Sequence, residues 1–514
     1  MPRLTLRTSL LVALIAAAPG ITRSVSAQEL TPAQERSLTS WLKTAKRYAP
    51  GRWGVAVANQ QGELLWGQKQ DEFFTPASTV KLLTTGFART RLGGSARLST
   101  RVVGKGSLDS TGTWIGNWAL ELNGDPTFDR ATRAGRSLNE LADQLTLAGV
   151  HRLTGPLLLT SATGTPDAVY PTTWAPGHWG RVFAPLVGAV TLNENIVWLT
   201  VGPGRKLGST AVLVGSAPEG LDALVSMHVR TVAGRRSRLS VRRMADGGFL
   251  VNGSVGIHAA PRRLVSVSTD PKAILAEAWA SALTNSGIAW DREHRIETES
   301  LPDSMTTIAE VNSSTLDSMA TEINTRSLNI GAELLLRWAS GRDNGGSDLT
   351  AHVADITGIA NGAHLVDGSG LSHEDRVTPT TFITYLARFP ETVAGHNFPM
   401  LLPANGEGTL VHLKGSMGAG VVHAKTGTLN DVSTLVGYLG RKDGVLLISL
   451  MYNGGRVHTA KKQQWKLFRL LGADGVSIPS DSLQEQLEDP AAPDEQLGGD
   501  VEAADSATTV APKP

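Results

Sequence analysis

The sequence predicts an α/β protein built on a five-stranded antiparallel sheet that both ends of the chain assemble, interrupted by a long, mostly β insertion. Three observations lead there. A helix and a hairpin open the chain after residue 30, three strands and a helix close it before residue 475, and the pattern between them changes character near residue 305.

Thr31 followed by Pro32 marks a helix start, and Leu38, Trp41, Leu42, Ala45 and Tyr48 recur at helical spacing until Pro50, which predicts a helix over 32–48. Trp53 to Ala58 and Leu64 to Gln68 are strand-like and flank a polar Gln60-Gln61-Gly62 turn, a hairpin pattern. From about 101 to 300 the chain is alternating and glycine-rich, with strand-like runs at Leu157 to Thr160, Ile196 to Val201 and Phe249 to Val251. From 305 to 390 it is largely helical. Val421 to Lys425, Ser433 to Leu439 and Val445 to Tyr452 are strand candidates, and Thr459 to Leu471 is a closing helix. Strands contributed by both ends fit one antiparallel sheet. No internal repeat is present.

Residues 1–27 pair Arg3 and Arg7 with an apolar run from Leu10 to Ala18 and end in Val25-Ser26-Ala27, the pattern of a secretory signal cleaved after Ala27. The run is shorter than the ~18 apolar residues of a spanning helix, and no later segment reaches that length, so no transmembrane anchor is expected. The chain has no cysteine, which excludes disulfides, thiolate metal sites, a cysteine nucleophile and a lipid-modified N-terminal cysteine. Residues 476–514 hold nine acids and one lysine among Pro, Ala, Gly and Ser, the composition of a disordered tail. The body between leader and tail carries 44 basic against 38 acidic residues, too modest an excess to argue for nucleic acid. His364, His373, His412 and His423 include no H-x-x-x-H pair, so neither a metal nor a cofactor is implied.

Three short motifs carry chemistry: Ser78-Thr79-Val80-Lys81, Ser327-Leu328-Asn329 and Lys425-Thr426-Gly427. A serine hydroxyl is a poor nucleophile until a base takes its proton, and an amine in a dry pocket beside a second ammonium can be that base. Thr75-Pro76 fits a helix N-terminus, which would put Ser78 where backbone N–H groups point outward and Lys81 on the same helix face. Taken alone, the stretch is also a capped helix with a solvated lysine. Lys425 to Thr428 ends a strand, and Gly427 leaves room for an extended peptide along its edge. Lys425 would attract a carboxylate, the hydroxyls of Thr426 and Thr428 would donate to it, and Thr428 N–H would join Ser78 N–H as an oxyanion donor. Taken alone, it is a hairpin strand. Ser327 and Asn329 lie between helical stretches 316–323 and 330–339, where a serine often only caps; in the combined reading Ser327 relays a proton to a leaving amine and Asn329 holds a lysine and a substrate amide.

S-x-x-K, S-x-N and K-T-G in this order belong to penicillin-binding proteins and serine β-lactamases. The roughly 250 residues between the first two motifs, with Asn123-Gly124-Asp125-Pro126-Thr127, Asp367-Gly368-Ser369-Gly370-Leu371-Ser372 and Arg376-Val377-Thr378-Pro379, resemble class C low-molecular-mass penicillin-binding proteins of the penicillin-binding protein 4 type. The resemblance covers about 30 to 475. It implies an αβα transpeptidase-like domain in two parts, 28–100 and 305–475, around inserted β domains at 101–304, with an inner one at about 181–262. It implies a D-alanyl-D-alanine carboxypeptidase and endopeptidase acting on peptidoglycan peptides outside the cytoplasm, periplasmic in a cell with two membranes, and acylated by β-lactams. Ser78 would be the nucleophile, Lys81 the base, Ser327 the relay and Lys425 the carboxylate site, with Arg376 holding the peptide side chain. A serine β-lactamase and a non-catalytic wall-binding protein of the same fold are the alternatives; the long insertion and absence of a clear deacylating base oppose the first, and the intact motifs oppose the second.

The chain departs from the family pattern before Tyr170-Pro171-Thr172-Thr173-Trp174, where the expected aspartate and aromatic are not evident in Leu157 to Ala162. Leu328 replaces a polar residue and should face away from the site. Asp367-Gly368-Ser369-Gly370 lacks the G-x-S-x-G spacing of a nucleophile turn and is expected to be a glycine bend. Arg230, Arg235, Arg236, Arg238, Arg242 and Arg243 form a basic cluster, readable as a solvated strand face or as a site for an anionic wall polymer.

Overall fold

In the computed structural model residues 29–480 are described, apart from 131–136, 164–165, 292–295 and 299–304. The expected leader and all but the first five residues of the expected acidic tail lie outside the described residues.

Helix α1 (Pro32–Tyr48) starts on a capping box in which Thr31 and Gln34 satisfy each other's backbone N–H, and it buries Leu38, Trp41, Leu42 and Ala45. The hairpin is β1 (Arg52–Ala58) and β2 (Leu64–Gln68). A one-turn 3-10 segment, Ala77–Thr79, then leads into α2 (Val80–Leu92).

The insertion follows with β3 (Ser99–Leu108), β4 (Thr113–Glu121), α3 (Leu138–Leu147), β5 (Arg152–Leu153) and β6 (Leu157–Thr160). An inner group comprises β7 (Ile196–Gly202), β8 (Val212–Ala217), β9 (Val225–Val232), β10 (Arg238–Arg243), β11 (Phe249–Gly256) and β12 (Arg262–Val267). The chain returns through α4 (Pro271–Asn285), β13 (Ala289–Trp290), β14 (Ile296–Thr298) and β15 (Thr306–Asn312). Strands β3 to β6 and β13 to β15 form one seven-stranded sheet, while the inner group makes two three-stranded sheets, β10-β11-β9 and β12-β7-β8. The inner strands therefore span 196–267, against the expected 181–262. Two helices interrupt a region that sequence pattern made mostly β. Ser137 caps α3 and Asp270, ahead of Pro271, caps α4, whose run of alanines hides its helical period; both bury apolar residues in the seven-stranded sheet's core.

The second part of the body adds α5 (Leu316–Arg326), α6 (Asn329–Ser340), α7 (Gly346–Thr357), the short pair β16 (Ala363–His364) and β17 (Arg376–Val377), and α8 (Pro379–Arg388). It closes with β18 (Val422–Leu429), β19 (Val432–Arg441), β20 (Gly444–Asn453) and α9 (Val457–Leu471). The main sheet runs β18-β19-β20-β1-β2, all antiparallel, so strands from both chain ends interlock as expected. Period-two alternation sends Trp53, Val55 and Val57 of β1 into one core with α1 and α9, and Ala56 and Ala58 into another with α2 and α8. The sheet is thus the middle layer of an αβα sandwich, which explains why β1 is buried at every residue but Arg52. The site forms where β18, an edge strand, meets the start of α2 and the junction of α5 with α6.

Candidate active site

Ser78 sits in the 3-10 turn that precedes α2, not in the helix itself. The turn is held hard: Pro76 carbonyl accepts from both Thr79 Oγ1 and Thr434 Oγ1, each at 2.7 Å. Ala77, just before the serine, has φ of 49°, a left-handed conformation that costs about 1–3 kcal/mol and survives only where its surroundings fix it. Part of that fixing comes from Gly370, where a Cβ would lie 1.9 Å from the Ala77 carbonyl oxygen.

Lys81 is fully buried one turn on, and its Nζ lies 3.0 Å from Ser78 Oγ, 2.6 Å from Asn329 Oδ1 and 2.6 Å from the Ser369 carbonyl. Two of those three partners can only accept. They therefore hold two Nζ hydrogens, and in the neutral amine the remaining lone pair faces the Ser78 hydroxyl. Burial lowers the Lys81 pKa to about 7, against the pull of Asp367, Glu333 and Asp375, which raise it. The sequence had assigned part of the depression to Lys425. That repulsion falls instead on Lys425, which burial, then Lys81 and Lys461, hold well below the ordinary ammonium range. Both amines are thus held below the ordinary ammonium range, and for each of them burial is the largest cause.

Lys425 Nζ donates to Ser327 Oγ at 2.9 Å and to the Thr426 carbonyl at 2.9 Å. Two hydroxyl–amine pairs, Ser78 with Lys81 and Ser327 with Lys425, thus face one another across the cleft. Ser327 is the C-terminal cap of α5 at φ 59°, a second strained residue, and Leu328 turns away to pack on the core as expected. Asn329 opens α6; beyond holding Lys81 with Oδ1, it donates Nδ2 to the Phe183 carbonyl at 2.8 Å. The insertion thereby reaches the site. Segment 174–187 packs on α6 through Trp174, Ala184, Val187, Ile330 and Leu334, and exposes Trp179 and Phe183.

Strand β18 continues through Thr428 to Leu429, past the expected end of the strand. The Val421 carbonyl accepts from Gly440 N on the inner side, while Val422 and Ala424 turn their N–H groups outward to Asn405 Oδ1 and the Pro403 carbonyl. Strand alternation then turns the N–H groups of Thr426 and Thr428 outward too, beyond the cover of residues 403–405. Gly427 has a different reason from the one its sequence suggests. A Cβ there would stand 2.2 Å from Thr434 Oγ1, 2.7 Å from Pro76 O and 3.0 Å from Ser78 N, so the glycine lets the serine turn lie against the strand rather than clearing space for substrate.

The Asp367-to-Ser372 segment, read as a glycine bend, is a bend and also part of the site. Glu333 of α6 accepts from Ser369 N at 2.9 Å and Gly368 N at 3.2 Å, and Asp367 accepts from Gly370 N at 2.6 Å and Ser372 N at 2.8 Å. Asp375 accepts from Val366 N at 2.8 Å, and the charge of Asp367 adds to burial in raising its carboxyl. Burial pushes Asp375 well above the carboxylate range and Glu333 up to about 7. These three acids grip the loop that aims the Ser369 carbonyl at Lys81. The sequence did carry a signal for Glu333: one acid inside the apolar run Ile330 to Ala339. Arg376 lies at the rim, its Nη1 donating to the His373 and Asp375 carbonyls and to Thr75 Oγ1. Among the described residues no group of three or more metal-ligating side chains occurs.

A family model described as "D-Ala-D-Ala carboxypeptidase 3 (S13) family" matches residues 36–470. The D-alanyl-D-alanine carboxypeptidase of Actinomadura sp. (strain R39) is 26% identical over 424 residues, 78% of this chain and 77% of the relative. Carboxypeptidase DacB of Mycolicibacterium smegmatis is 27% identical over 414 residues, 76% and 74% of the two chains. Among solved structures, penicillin binding protein 4 from Haemophilus influenzae superposes with a TM-score of 0.67 at 21% identity, covering 84% of this chain and 98% of that one. A match over the whole length of the sandwich and its insertion, on a chain that brings its three motifs together around one serine, means that the protein belongs to the D-Ala-D-Ala carboxypeptidase 3 (S13) family.

Proposed function

We propose that the protein is a serine D-Ala-D-Ala carboxypeptidase, with endopeptidase activity on cross-linked stem peptides, that works on peptidoglycan through an acyl-enzyme on Ser78. The observation that carries this reading is the Lys81 amine, buried and fixed by Asn329 Oδ1 and the Ser369 carbonyl so that its free position faces Ser78 Oγ.

The peptide lies along the outward edge of β18 as an added strand. Its terminal carboxylate meets Lys425 with the hydroxyls of Thr426 and Thr428, and its arrival favours the charged form of Lys425 that burial disfavours. Lys81 takes the Ser78 proton as Oγ attacks the penultimate D-Ala carbonyl, and the N–H groups of Ser78 and Thr428 receive the oxyanion. The proton that Lys81 has taken passes through the Ser327 hydroxyl to the departing amine, which leaves as D-Ala, and Lys81 is neutral again. Water then attacks the ester, with Lys81 again the base. Asn329 keeps one amide hydrogen beyond the Phe183 contact for the substrate, and Arg376 at the rim is placed for a side-chain carboxylate. The same reading divides the chain into a two-part catalytic domain and an inserted β region with a nested inner unit, exported to the extracytoplasmic wall. Among the described residues no helix is long and apolar enough to cross a membrane.

Intact-mass analysis after benzylpenicillin, with the adduct located by peptide mapping, tests the reading. One adduct on Ser78, absent from Ser78→Ala, is expected. Label on another residue would end this mechanism, and rapid loss of the adduct without D-Ala release from peptides would favour a β-lactamase.

A further inference from the structure

The excess positive charge of the body is not spread over it. Residues 196–267, the inner β unit, hold ten basic residues, nine of them arginine, against Glu219, Asp222 and Asp246, while the rest of the body carries 34 basic and 35 acidic residues. The unit is a separately cored, positively charged module on a nearly neutral enzyme.

Its sheet β10-β11-β9 sorts that charge onto one face. Leu239 and Val241, Phe249 and Val251, and Met227 and Val229 point into the inner core. The alternate residues point out, and the register aligns them: Arg238 pairs with Ser254, which pairs with Arg230, and Ser240 pairs with Asn252, which pairs with His228. Arg242 continues the row of Arg238 on the same face, about 13 Å further along β10. Arg235 and Arg236 lie in the crossover that joins β9 to β10, beside the Arg230–Arg238 row. All five arginines are exposed, and among the described residues none of their side chains has a hydrogen-bond or ion-pair partner. An exposed arginine without a counterion is ordinary; three set on one face of a small sheet, with serine, asparagine and histidine between them and two more in the adjoining crossover, make an array of donors.

Strand β10 ends beside the active site. Its last residue, Arg243, which alternation sets on the opposite side from Arg238 and Arg242, abuts Gly180, where a Cβ would lie 2.1 Å from its Nη1, and Phe183, three residues on, gives its carbonyl to Asn329 of the active site. The end of β10 that carries Arg242 therefore lies next to the segment that walls the catalytic cleft.

We propose that the outer face of this inner sheet is a docking surface for a linear polyanion bearing phosphate groups, a polymer of the wall that accompanies the peptide substrate. The occupant follows from charge complementarity. Phosphate keeps its charge at every working pH and takes the guanidinium fork bidentately. The face carries no Phe, Tyr or Trp on which bases could stack, and His228 is its single ring, too little to favour a nucleic acid over another phosphate chain. Binding here is independent of the chemistry at Ser78, and either can fail without the other.

The test uses the full-length enzyme and long-chain inorganic polyphosphate, with affinity measured by fluorescence anisotropy over a series of salt concentrations. The wild type should bind with affinity that falls steeply with salt. The triple variant Arg230→Ser/Arg238→Ser/Arg242→Ser should bind at least about 30-fold more weakly, with a salt slope smaller by about two to three, as expected when three phosphate contacts go. Penicillin acylation of Ser78 should stay at the wild-type rate, which shows that the variant is folded. A matched triple variant at exposed arginines elsewhere, Arg36→Ser/Arg152→Ser/Arg342→Ser, should bind as the wild type does. The proposal is overturned if the triple variant binds polyphosphate normally, if the control variant loses as much, if poly-glutamate of equal charge binds as tightly, or if an oligodeoxythymidylate of equal charge binds more tightly than polyphosphate.

Discussion

At the scale of single residues, the site depends on an amine that burial keeps partly neutral. Because Lys81 must be unprotonated to accept the serine proton, the acylation rate should follow its neutral fraction, rising by about tenfold per pH unit below pH 7 and levelling off above it. The sign follows from the direction of the shift, since a lysine at its ordinary pKa would keep the rate climbing far into alkaline pH. Stopped-flow acylation by a reporter β-lactam between pH 5 and pH 9 measures this; a profile still rising with constant slope at pH 9 would contradict it. Lys81→Arg cannot lose a proton in that range and should acylate about 10²- to 10⁴-fold more slowly. Gly427 gives a second prediction at this scale. Gly427→Ala forces a methyl against Thr434 Oγ1, the Pro76 carbonyl and Ser78 N, so the serine turn must move. Overpacking of this kind costs about 1–3 kcal/mol in stability, and a 1 Å displacement of a nucleophile costs about 10²-fold in rate. Thermal melts and acylation kinetics together check it: an alanine variant with the wild-type rate would mean that the glycine serves only the substrate.

At the scale of elements, the buried ion cluster between insertion and body sets the start of the second motif. Glu194 bridges Arg130 of the insertion and Arg326, the last residue of α5 and the neighbour of Ser327, while Arg130 also pairs with Glu322. Asn193, Glu194 and Asn195 all have positive φ, strain that a structure keeps only where contacts over-determine it. Burial holds the Glu194 carboxyl above its usual range despite Arg130, so the cluster is costly to assemble and costlier to break. Glu194→Ala leaves Arg130 buried without its central partner and should lose about 3–5 kcal/mol of stability. Denaturant unfolding measures the loss, and a change below about 1 kcal/mol would show that water replaces the carboxylate. This is also where sequence reading runs out. Ser78 and Lys81 are legible because one helical turn fixes their separation, and β1, β2 and β18 to β20 because alternation and turn residues mark them. Glu194 and Phe183 act through partners 132 and 146 residues away, and nothing local announces such contacts; Glu333 stands out as an acid in an apolar run, but its partner Ser369, 36 residues on, does not. Ser369 was read as part of a glycine bend for the same reason: its role is a carbonyl, and every residue has one.

At the scale of the whole molecule, the inner β unit is attached so that it can be removed. Its first and last strands lie side by side, with Ile196 paired to Val267 and Ser268 N bonded to the Asn195 carbonyl at 2.9 Å. Its core is its own except for Ile274 of α4. Replacing residues 197–266 by Asn-Gly, a two-residue turn suited to neighbouring antiparallel strands, should therefore leave the body folded, at the cost of exposing Ile274 and one face of α4. The cluster around Glu194 lies before the cut and survives it. The Arg243 contact with Gly180 does not, so the segment carrying Phe183 loses a support on the side of the cleft where Asn329 is held. The two readouts should then separate. Penicillin, a small acylating agent, needs only Ser78, Lys81 and the β18 edge, and its acylation rate should stay within about threefold of the wild type. A D-Ala-D-Ala peptide with a full side chain also depends on the insertion wall, and its kcat/KM should fall by at least about tenfold, or ~1.4 kcal/mol of transition-state stabilisation. Parallel measurement of both rates on the shortened chain decides the matter: equal losses would make the inner unit a structural prop of the catalytic body, and no loss of either would show that the wall stands without it.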